Sequence, residues 1–154
     1  MKKLLTLCLI TDNEKILLGK ARRGKGMGKW NGFGGKVEAG ESIEDAAKRE
    51  VLEEAGITVA DINKVGVIDF VLPGEEQIWQ VHIFSASSFT GEPTESEEME
   101  PKWFTIADIP YASMWPDDQY WFPLFLAGKK FTGRFVFNEA EEIVEQQLHE
   151  DKNL

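Results

Sequence analysis

The chain has 154 residues, of which 42% are hydrophobic, and a formal net charge of −10. This length fits a single domain, residues 1–154, with its own hydrophobic core. The negative charge argues against binding to nucleic acid polymers or an anionic membrane, because both require a basic surface. Cys8 is the only cysteine, so an internal disulfide is impossible and a reducing, cytoplasmic location is expected.

The N-terminal third predicts a β-hairpin. Apolar, β-prone residues at 3–10 and 16–23 flank the polar segment 11–14, which reads as a turn. The apolar start is cut short by this turn and has no small-residue cleavage site, so it predicts a strand rather than a signal peptide. Residues 24–36 are rich in glycine and are expected to be irregular. No stretch of the chain is long enough to span a bilayer.

A helix is predicted after residue 42. Ser42 can accept a hydrogen bond from the first helical turn, and Asp45 stands three residues later as a weaker form of the capping box. The pattern continues to about Ala55. Gly56 can adopt the left-handed conformation that ends a helix.

The second half alternates strands with two further predicted helices. Asp117-Asp118 can begin a helix running to about Ala127, and Asn138 can begin a last one, from Glu139 to about Glu150. The acidic stretch 92–100 is expected to be a loop. Strands are predicted at 65–72, 78–89, around Trp103-Phe104 and at 131–137. Strands interleaved with three helices indicate an α/β (α+β) arrangement in which a sheet lies between helices.

Three carboxylates of the first helix fall on one side of it. Glu50, Glu53 and Glu54 are related by steps of three and four residues, so they repel each other unless a cation lies between them. Glu50 and Glu54 also fall beside the small apolar residues Ala46 and Ala47, which should pack on the sheet rather than face solvent. Clustered carboxylate oxygens suit a hard divalent cation, Mg²⁺ or Mn²⁺.

The region around these carboxylates resembles the signature of the Nudix hydrolases. The pattern G-x5-E-x7-R-E-U-x-E-E-x-G-U, with U aliphatic, is met at Gly35, Glu41, Arg49, Glu50, Val51, Glu53, Glu54, Gly56 and Ile57. The resemblance implies the Nudix fold, a mixed β-sheet between helices. It also implies metal-dependent hydrolysis of a nucleoside diphosphate linked to another group. By the same resemblance, the carbonyl of Gly34 and the carboxylate of Glu98 complete the metal ligands.

The resemblance implies roles for these residues, but it leaves two points open. Glu53 or Glu54 acts as the base or orients the attacking water, and Arg49 positions a glutamate through paired hydrogen bonds. Water attacks either the α or the β phosphorus. An ordinary nucleotide, a dinucleoside polyphosphate or a nucleoside diphosphate sugar is an alternative substrate, and a non-catalytic nucleotide-binding module is an alternative class.

A second resemblance is to the animal-type members of this family that hydrolyse oxidised purine nucleoside triphosphates, such as 8-oxo-dGTP and 2-hydroxy-dATP, and thereby sanitise the nucleotide pool. Residues 30–37 (WNGFGGKV) and 114–124 carry it. The implied product is a monophosphate plus pyrophosphate, and the expected partner is a small nucleotide, with the enzyme monomeric. The implied base pocket contains Thr6, Asn31, Phe70, Trp115, Asp117, Asp118, Trp121 and Phe137.

These residue types suit a purine. An aromatic ring such as Trp115 offers a stacking face, and Asn31 offers both a donor and an acceptor. Two adjacent carboxyl groups in an apolar pocket, at Asp117 and Asp118, are not both ionised. Together they then present a donor and acceptors to several purine edges. The alternative reading is that one of the aspartates only caps the helix.

The chain departs from the resemblance at three positions of this pocket. Lys25 replaces an aromatic residue in the glycine-rich loop, Ala21 replaces a lysine, and Trp79 replaces a methionine. Trp79 narrows the expected pocket, and Lys25 favours phosphate over base contact. The base preference therefore does not follow from the resemblance alone.

Overall fold

Eight β-strands and two α-helices make up the chain in the computed structural model, which describes residues 1–154. The elements in chain order are β1 (Lys2–Asp12), β2 (Lys15–Ala21), β3 (Trp30–Asn31), α1 (Ile43–Ala55), β4 (Asn63–Val71), β5 (Ile78–Ala86), β6 (Met99–Thr105), α2 (Asp118–Leu126), β7 (Phe131–Phe137) and β8 (Ile143–Glu150). Two short 3₁₀ helices lie between β6 and α2. Neither α1 nor α2 has the length and apolar character needed to cross a membrane.

The strands form one mixed sheet in the order β3-β2-β1-β5-β4-β7-β8, and β6 pairs with β2 beside this path. β1 and β5 run parallel over their whole paired length, as do β4 and β7, whereas the other neighbours are antiparallel. β1 and β2 pair only at their turn, from Ile10↔Leu17 to Asp12↔Lys15. β6 pairs with β2 along its whole length, from Lys15↔Thr105 to Ala21↔Met99, and the segment 33–36 lies against β1 through the bridges Cys8↔Phe33 and Leu5↔Lys36.

A separate apolar core covers each face of the sheet. On one face Ala47, Val51 and Ala55 of α1 pack on strand residues that include Cys8 and Phe84. On the other face the aromatic residues of α2 pack against Leu9, Ile68, Ile83, Phe131 and Phe135. The expected mixed sheet between helices is confirmed.

The start and end of α1 agree with the sequence prediction. The Ser42 hydroxyl oxygen accepts a hydrogen bond from the Asp45 backbone N–H at 3.1 Å. At the other end Gly56 adopts a φ of 72° and donates its N–H to the Leu52 carbonyl. The helix is therefore fixed at both ends by local chemistry, which holds its carboxylates in a defined register.

The predicted last helix, Glu139 to Glu150, is wrong. Asn138 does accept backbone hydrogen bonds, but from the N–H groups of Ala140 at 3.0 Å and Glu142 at 2.9 Å, within a tight turn. Glu141 takes a φ of 61° there, which a helix does not allow. The chain then returns antiparallel to β7 as β8. The sheet thus gains an edge strand, and the number of helices is two instead of three.

Other boundaries differ by a few residues. The strand predicted around Trp103-Phe104 spans seven residues, Met99–Thr105, so the acidic loop ends at Glu98. The strand predicted at 78–89 stops at Ala86, and the second strand of the hairpin stops at Ala21. β6 is longer than predicted because it pairs with β2 along its whole length. These partners are remote in sequence, so local propensity does not reveal the pairing.

Candidate active site

Arg49 organises the acidic residues of α1 and of the segment before it. Its Nε and Nη2 donate to the two carboxylate oxygens of Glu41 at 2.8 and 3.1 Å. Its Nη1 donates to Glu50 Oε1 at 2.8 Å and lies 3.3 Å from Glu53 Oε2. Nη2 also donates to the Lys36 carbonyl at 3.0 Å. The guanidinium therefore ties the helix to the glycine-rich segment, and its paired contact with Glu41 is the strongest of these bonds.

Glu54 is the most buried of the helix carboxylates, with 6% of its surface exposed. Its Oε1 accepts a hydrogen bond from the Gly34 backbone N–H at 2.8 Å. Burial raises the pKa of Glu54 to about 8, and the charges of Glu50 and Glu98 act in the same direction. A carboxyl group in this environment holds a proton near neutral pH until a positive charge is brought to it.

Glu50 and Glu53 differ from Glu54 in exposure. The side chain of Glu50 is 13% exposed and that of Glu53 is 54% exposed. Burial raises the pKa of Glu50, although its bond to Arg49 acts in the opposite direction. The three helix carboxylates thus range from buried to solvent-accessible across one side of α1.

The four glutamates do not meet at one point as the side chains stand. Glu50 and Glu53 contact Arg49, Glu54 contacts Gly34, and Glu98 lies 3.3 Å from Arg23. Their charges nevertheless act on one another, since Glu98 and Glu53 both raise the pKa of Glu50. The Gly34 carbonyl oxygen accepts no backbone hydrogen bond. This set of hard oxygen donors fits Mg²⁺ or Mn²⁺.

The two glycines before α1 are required by close approach. A Cβ on Gly34 would overlap the Thr6 carbonyl oxygen, and a Cβ on Gly35 would lie 2.7 Å from Glu50 Oε1. Any larger residue would separate the segment from β1 or displace Glu50. The glycines therefore allow backbone and carboxylates to share one small space.

A cavity of about 360 Å³ opens beside this acidic site. Gly34, Glu54 and Glu98 line one part of it, whereas Glu50 and Glu53 lie outside the lining. All eight residues expected for the base pocket line the cavity: Thr6, Asn31, Phe70, Trp115, Asp117, Asp118, Trp121 and Phe137. A single bound molecule can thus contact both groups of residues.

Asp117 and Asp118 are almost completely buried, with 4% and 2% of their surfaces exposed. Asp117 Oδ2 accepts a hydrogen bond from Trp121 Nε1 at 2.8 Å, and burial raises the pKa of Asp117 to about 6. Burial, and then the charge of Asp117, raise the pKa of Asp118 well above its ordinary value. The pair therefore keeps at least one proton near neutral pH.

The alternative in which Asp117 serves as a helix cap does not hold. Asp117 precedes α2, but its side chain makes no capping hydrogen bond, because it is turned toward Trp121. The Asp118 backbone N–H donates to the Trp115 carbonyl, and Asp118 Oδ2 has no partner. The Asp117 side chain therefore does not cap the helix, and one carboxylate oxygen of Asp118 stays available to a ligand.

Aromatic rings and an amide complete the cavity wall. Trp115 meets Phe137 edge-on, with ring centroids 6.5 Å apart, and Phe70 lies 6.2 Å from Phe137. Asn31 Oδ1 accepts from the Gly32 N–H at 2.8 Å, which fixes the amide and leaves its NH₂ group to donate. A flat ring with polar edges matches such a surface.

Unpartnered polar atoms concentrate at this cavity. Four buried side-chain polar atoms lack a hydrogen-bond partner, and three of them, Thr6 Oγ1, Trp79 Nε1 and Asp118 Oδ2, belong to residues that line the cavity. The fourth is Nδ1 of His82. Buried polar groups are normally satisfied, so these atoms point to a ligand with polar edges.

Two contacts of the site were not predicted. Glu41 is part of the signature pattern, yet its role as the main partner of Arg49 was not inferred. Arg23 lines the cavity and pairs with Glu97 at 3.7 Å and Glu98 at 3.3 Å. The only signal for Arg23 was the run of cations at residues 20–29, which does not say which cation reaches the cavity.

Comparison with known proteins agrees with this fold. The NUDIX domain matches residues 1–125. An oxidized purine nucleoside triphosphate hydrolase of Mus musculus is 53% identical over 148 residues, covering 96% of this chain and 95% of that protein. Its namesake from Danio rerio is 53% identical over 152 residues, covering 99% and 97%. The crystal structure of a MutT protein from Bacillus halodurans superposes with a TM-score of 0.85 at 30% identity, covering 95% of this chain and 97% of that chain.

The chain therefore belongs to the Nudix family, and it is a Nudix hydrolase.

Proposed function

We propose that this chain hydrolyses modified purine nucleoside triphosphates, such as 8-oxo-dGTP and 2-hydroxy-dATP, to the monophosphate and pyrophosphate. O6-methyl-dGTP belongs to the same set. The removal of such nucleotides sanitises the pool from which DNA is made. The observation that carries the proposal is the single cavity, which has the carboxylates Glu54 and Glu98 in one part and the buried pair Asp117 and Asp118 in another.

The buried aspartates recognise the base. At neutral pH one carboxyl group donates a hydrogen bond and the other accepts one, because burial keeps at least one of them neutral. The Asn31 amide adds a donor, and Trp115 supplies a stacking face. Oxidation of a purine changes which groups at its edge donate hydrogen bonds and which accept them. A site with both donors and acceptors accommodates such an altered edge.

The carboxylates of α1 act on the phosphates. When bound, Mg²⁺ would neutralise the negative charge of the phosphate oxygens and would lower the pKa of the attacking water. Glu50, Glu53, Glu54, Glu98 and the Gly34 carbonyl are the residues we propose to hold it. Glu54 or Glu53 takes the proton of the water, and Arg49 keeps Glu50 and Glu53 in place.

Three further properties belong to this proposal: the partner, the cellular location and the oligomeric state. The partner is a small nucleotide rather than a nucleic acid polymer, since the net charge of −10 opposes a long polyanion. The buried, unpaired Cys8 supports a reducing, cytoplasmic location. We propose that the protein acts as a monomer.

The test measures pyrophosphate and phosphate release with Mg²⁺ for 8-oxo-dGTP, 2-hydroxy-dATP, O6-methyl-dGTP and dGTP. We expect pyrophosphate as the product, with kcat/KM for the modified nucleotides well above that for dGTP. Equal kcat/KM across the panel would reject the substrate class but keep the hydrolysis. Turnover of none of the four would favour another nucleotide or a binding module.

A further inference from the structure

Only two cations line the cavity, Arg23 and Lys25, and they differ in their surroundings. Arg23 lies 3.3 Å from Glu98 and 3.7 Å from Glu97, so its charge is compensated. Lys25 has no carboxylate within ion-pair distance and its side chain is exposed. In a chain with a net charge of −10 this is an uncompensated positive charge at a cavity.

The ammonium group of Lys25 rests on an aromatic ring. Its Nζ lies 5.2 Å from the ring centroid of Trp79, and Lys3 Nζ lies 4.3 Å from the same centroid. Two positively charged ammonium groups therefore lie against the same indole ring. The pKa of Lys3 is lowered chiefly by burial, and the charge of Lys36 lowers it more than that of Lys25 does. An anion placed between these groups would relieve the repulsion.

The segment that carries Lys25 lies over the mouth of the cavity. A Cβ on Gly26 would lie 3.1 Å from Trp115 Cζ2, so the backbone of this segment packs directly on that ring. Lys29 Nζ lies 5.2 Å from the same ring. Lys25 contacts Trp79 while its neighbour contacts Trp115, so the segment connects two aromatic residues of the cavity lining. Lys25 thus stands at the rim and not on the floor where the buried aspartates lie.

We propose that Lys25 binds the triphosphate chain of the nucleotide and moves from Trp79 onto phosphate oxygens when the substrate enters. This inference rests on the proposed function, because it requires a nucleotide in the cavity. An ammonium–phosphate contact is a charge-assisted hydrogen bond, and it is stronger than a cation–π contact at a solvent-exposed site. Lys25 therefore sets the preference for nucleoside triphosphates over the uncharged nucleoside. Its contact with Trp79 keeps the ammonium group at the cavity before the substrate binds.

The experiment compares binding of two probes by titration calorimetry. The probes are a non-hydrolysable α,β-imido triphosphate of the preferred purine, with Mg²⁺, and the corresponding free nucleoside. The variant is Lys25→Met, which keeps an unbranched side chain one atom shorter and removes its charge. Lys15→Met is the matched control, since Lys15 is also exposed and uncompensated but does not line the cavity. Lys25→Arg tests whether charge alone restores binding.

We expect Lys25→Met to weaken triphosphate binding about tenfold, equivalent to about 1.4 kcal/mol, and to leave nucleoside binding unchanged. Lys15→Met should match the parent, and Lys25→Arg should recover most of the loss. Equal weakening of both probes would overturn the proposal and make Lys25 a structural residue of the rim. Unchanged triphosphate binding would also overturn it, while leaving the proposed function intact if the parent still hydrolyses the panel. A parent that binds no triphosphate would overturn both.

Discussion

The Nε1 of Trp121 donates a 2.8 Å hydrogen bond to Oδ2 of Asp117, one helical turn earlier at the start of α2. This bond orients one oxygen of a buried carboxyl group, and it leaves the neighbouring Asp118 with an unpartnered oxygen. The helix thus uses its first turn to build a polar floor for the cavity. The pH behaviour of the protein depends on this pair.

Asp118→Asn should change how the stability of the protein depends on pH. Both aspartates have a folded-state pKa above the ordinary value of 3.8: the pKa of Asp117 is about 6, and burial raises the pKa of Asp118 well above the ordinary value. The folded state therefore binds more protons than the unfolded state above about pH 4. The parent then loses stability as the pH rises through about 6 and beyond.

Removing one ionisable group should reduce this loss. The free energy of unfolding of Asp118→Asn relative to the parent should grow between about pH 4 and pH 8, because the variant lacks the carboxyl group whose raised pKa causes the loss. Urea unfolding at each pH measures it. Asp61→Asn, at an exposed position, is the control and should show no trend. A flat difference for Asp118→Asn would mean that the pair is ionised in the folded protein.

Glu54→Gln should abolish most of the hydrolysis but keep the fold. The substitution preserves the shape of the side chain and its bond with the Gly34 N–H, yet removes a carboxylate that we propose binds metal and activates water. The loss in kcat should be on the order of 10²-fold or more. The rate of pyrophosphate release measures it, and binding of the non-hydrolysable triphosphate should persist. Glu44→Gln, at an exposed position of the same helix, should keep the parental rate.

Arg49→Lys should weaken metal binding. A lysine cannot make the paired bonds to Glu41 while also reaching Glu50, so the helix carboxylates lose their fixed positions. The Mg²⁺ concentration for half-maximal rate should rise roughly 10–100-fold, as for other residues that orient metal ligands. The matched control is Arg134→Lys, because Arg134 also bonds a glutamate, Glu145, but on β7 and β8. A parental Mg²⁺ requirement in Arg49→Lys would contradict the positioning role.

Asn31→Ala should reduce discrimination between bases. The side-chain oxygen of Asn31 already accepts from Gly32, so the amide NH₂ is the group available to the base. Its loss should raise KM for the preferred nucleotide about tenfold, as expected for one hydrogen bond to a polar edge. The steady-state kinetics of 8-oxo-dGTP and dGTP measure this. Asn63→Ala, at an exposed position of β4, is the control, and unchanged selectivity in Asn31→Ala would remove Asn31 from the pocket.

Gly34→Ala should be far more damaging than Gly74→Ala. A Cβ at Gly34 would overlap the Thr6 carbonyl, whereas a Cβ at Gly74 meets open space and suffers only from a φ of 81°. Gly74→Ala should cost about 1–2 kcal/mol, and Gly34→Ala should cost several times more or prevent folding. Thermal unfolding of both variants tests the comparison. Equal losses would mean that the segment can move away from β1.

Much of the first half of the fold was predictable because its signals are local. Ser42 and Gly56 mark both ends of α1, and the turn between β1 and β2 consists of polar residues between apolar runs. These signals act over a few residues, so they can be read without knowing the sheet. The signature residues lie in this region, which is why the family could also be inferred.

The C-terminal strand shows why the rest could not be predicted. Asn138 before an acidic, polar segment is compatible with a helix start and with a tight turn. The choice is made by β7, whose exposed edge pairs with residues 143–150. Such pairing depends on contacts between segments and not on propensity. The positions of Arg23 beside Glu98 and of Lys25 on Trp79 also depend on contacts between remote segments.

The residues that we assign to hydrolysis and to base recognition lie on different elements, and this has a consequence for how such enzymes diversify. The glutamates that we assign to hydrolysis lie on α1, whereas the residues that we assign to base recognition lie on strands, on α2 and on the segment before it. Glu54 and the base-recognition residues line one cavity. Substitutions at Trp79 can therefore alter which damaged nucleotide is accepted without disturbing the bonds of Arg49. A new substrate range can thus arise by exchange of a few rim residues in an unchanged hydrolase.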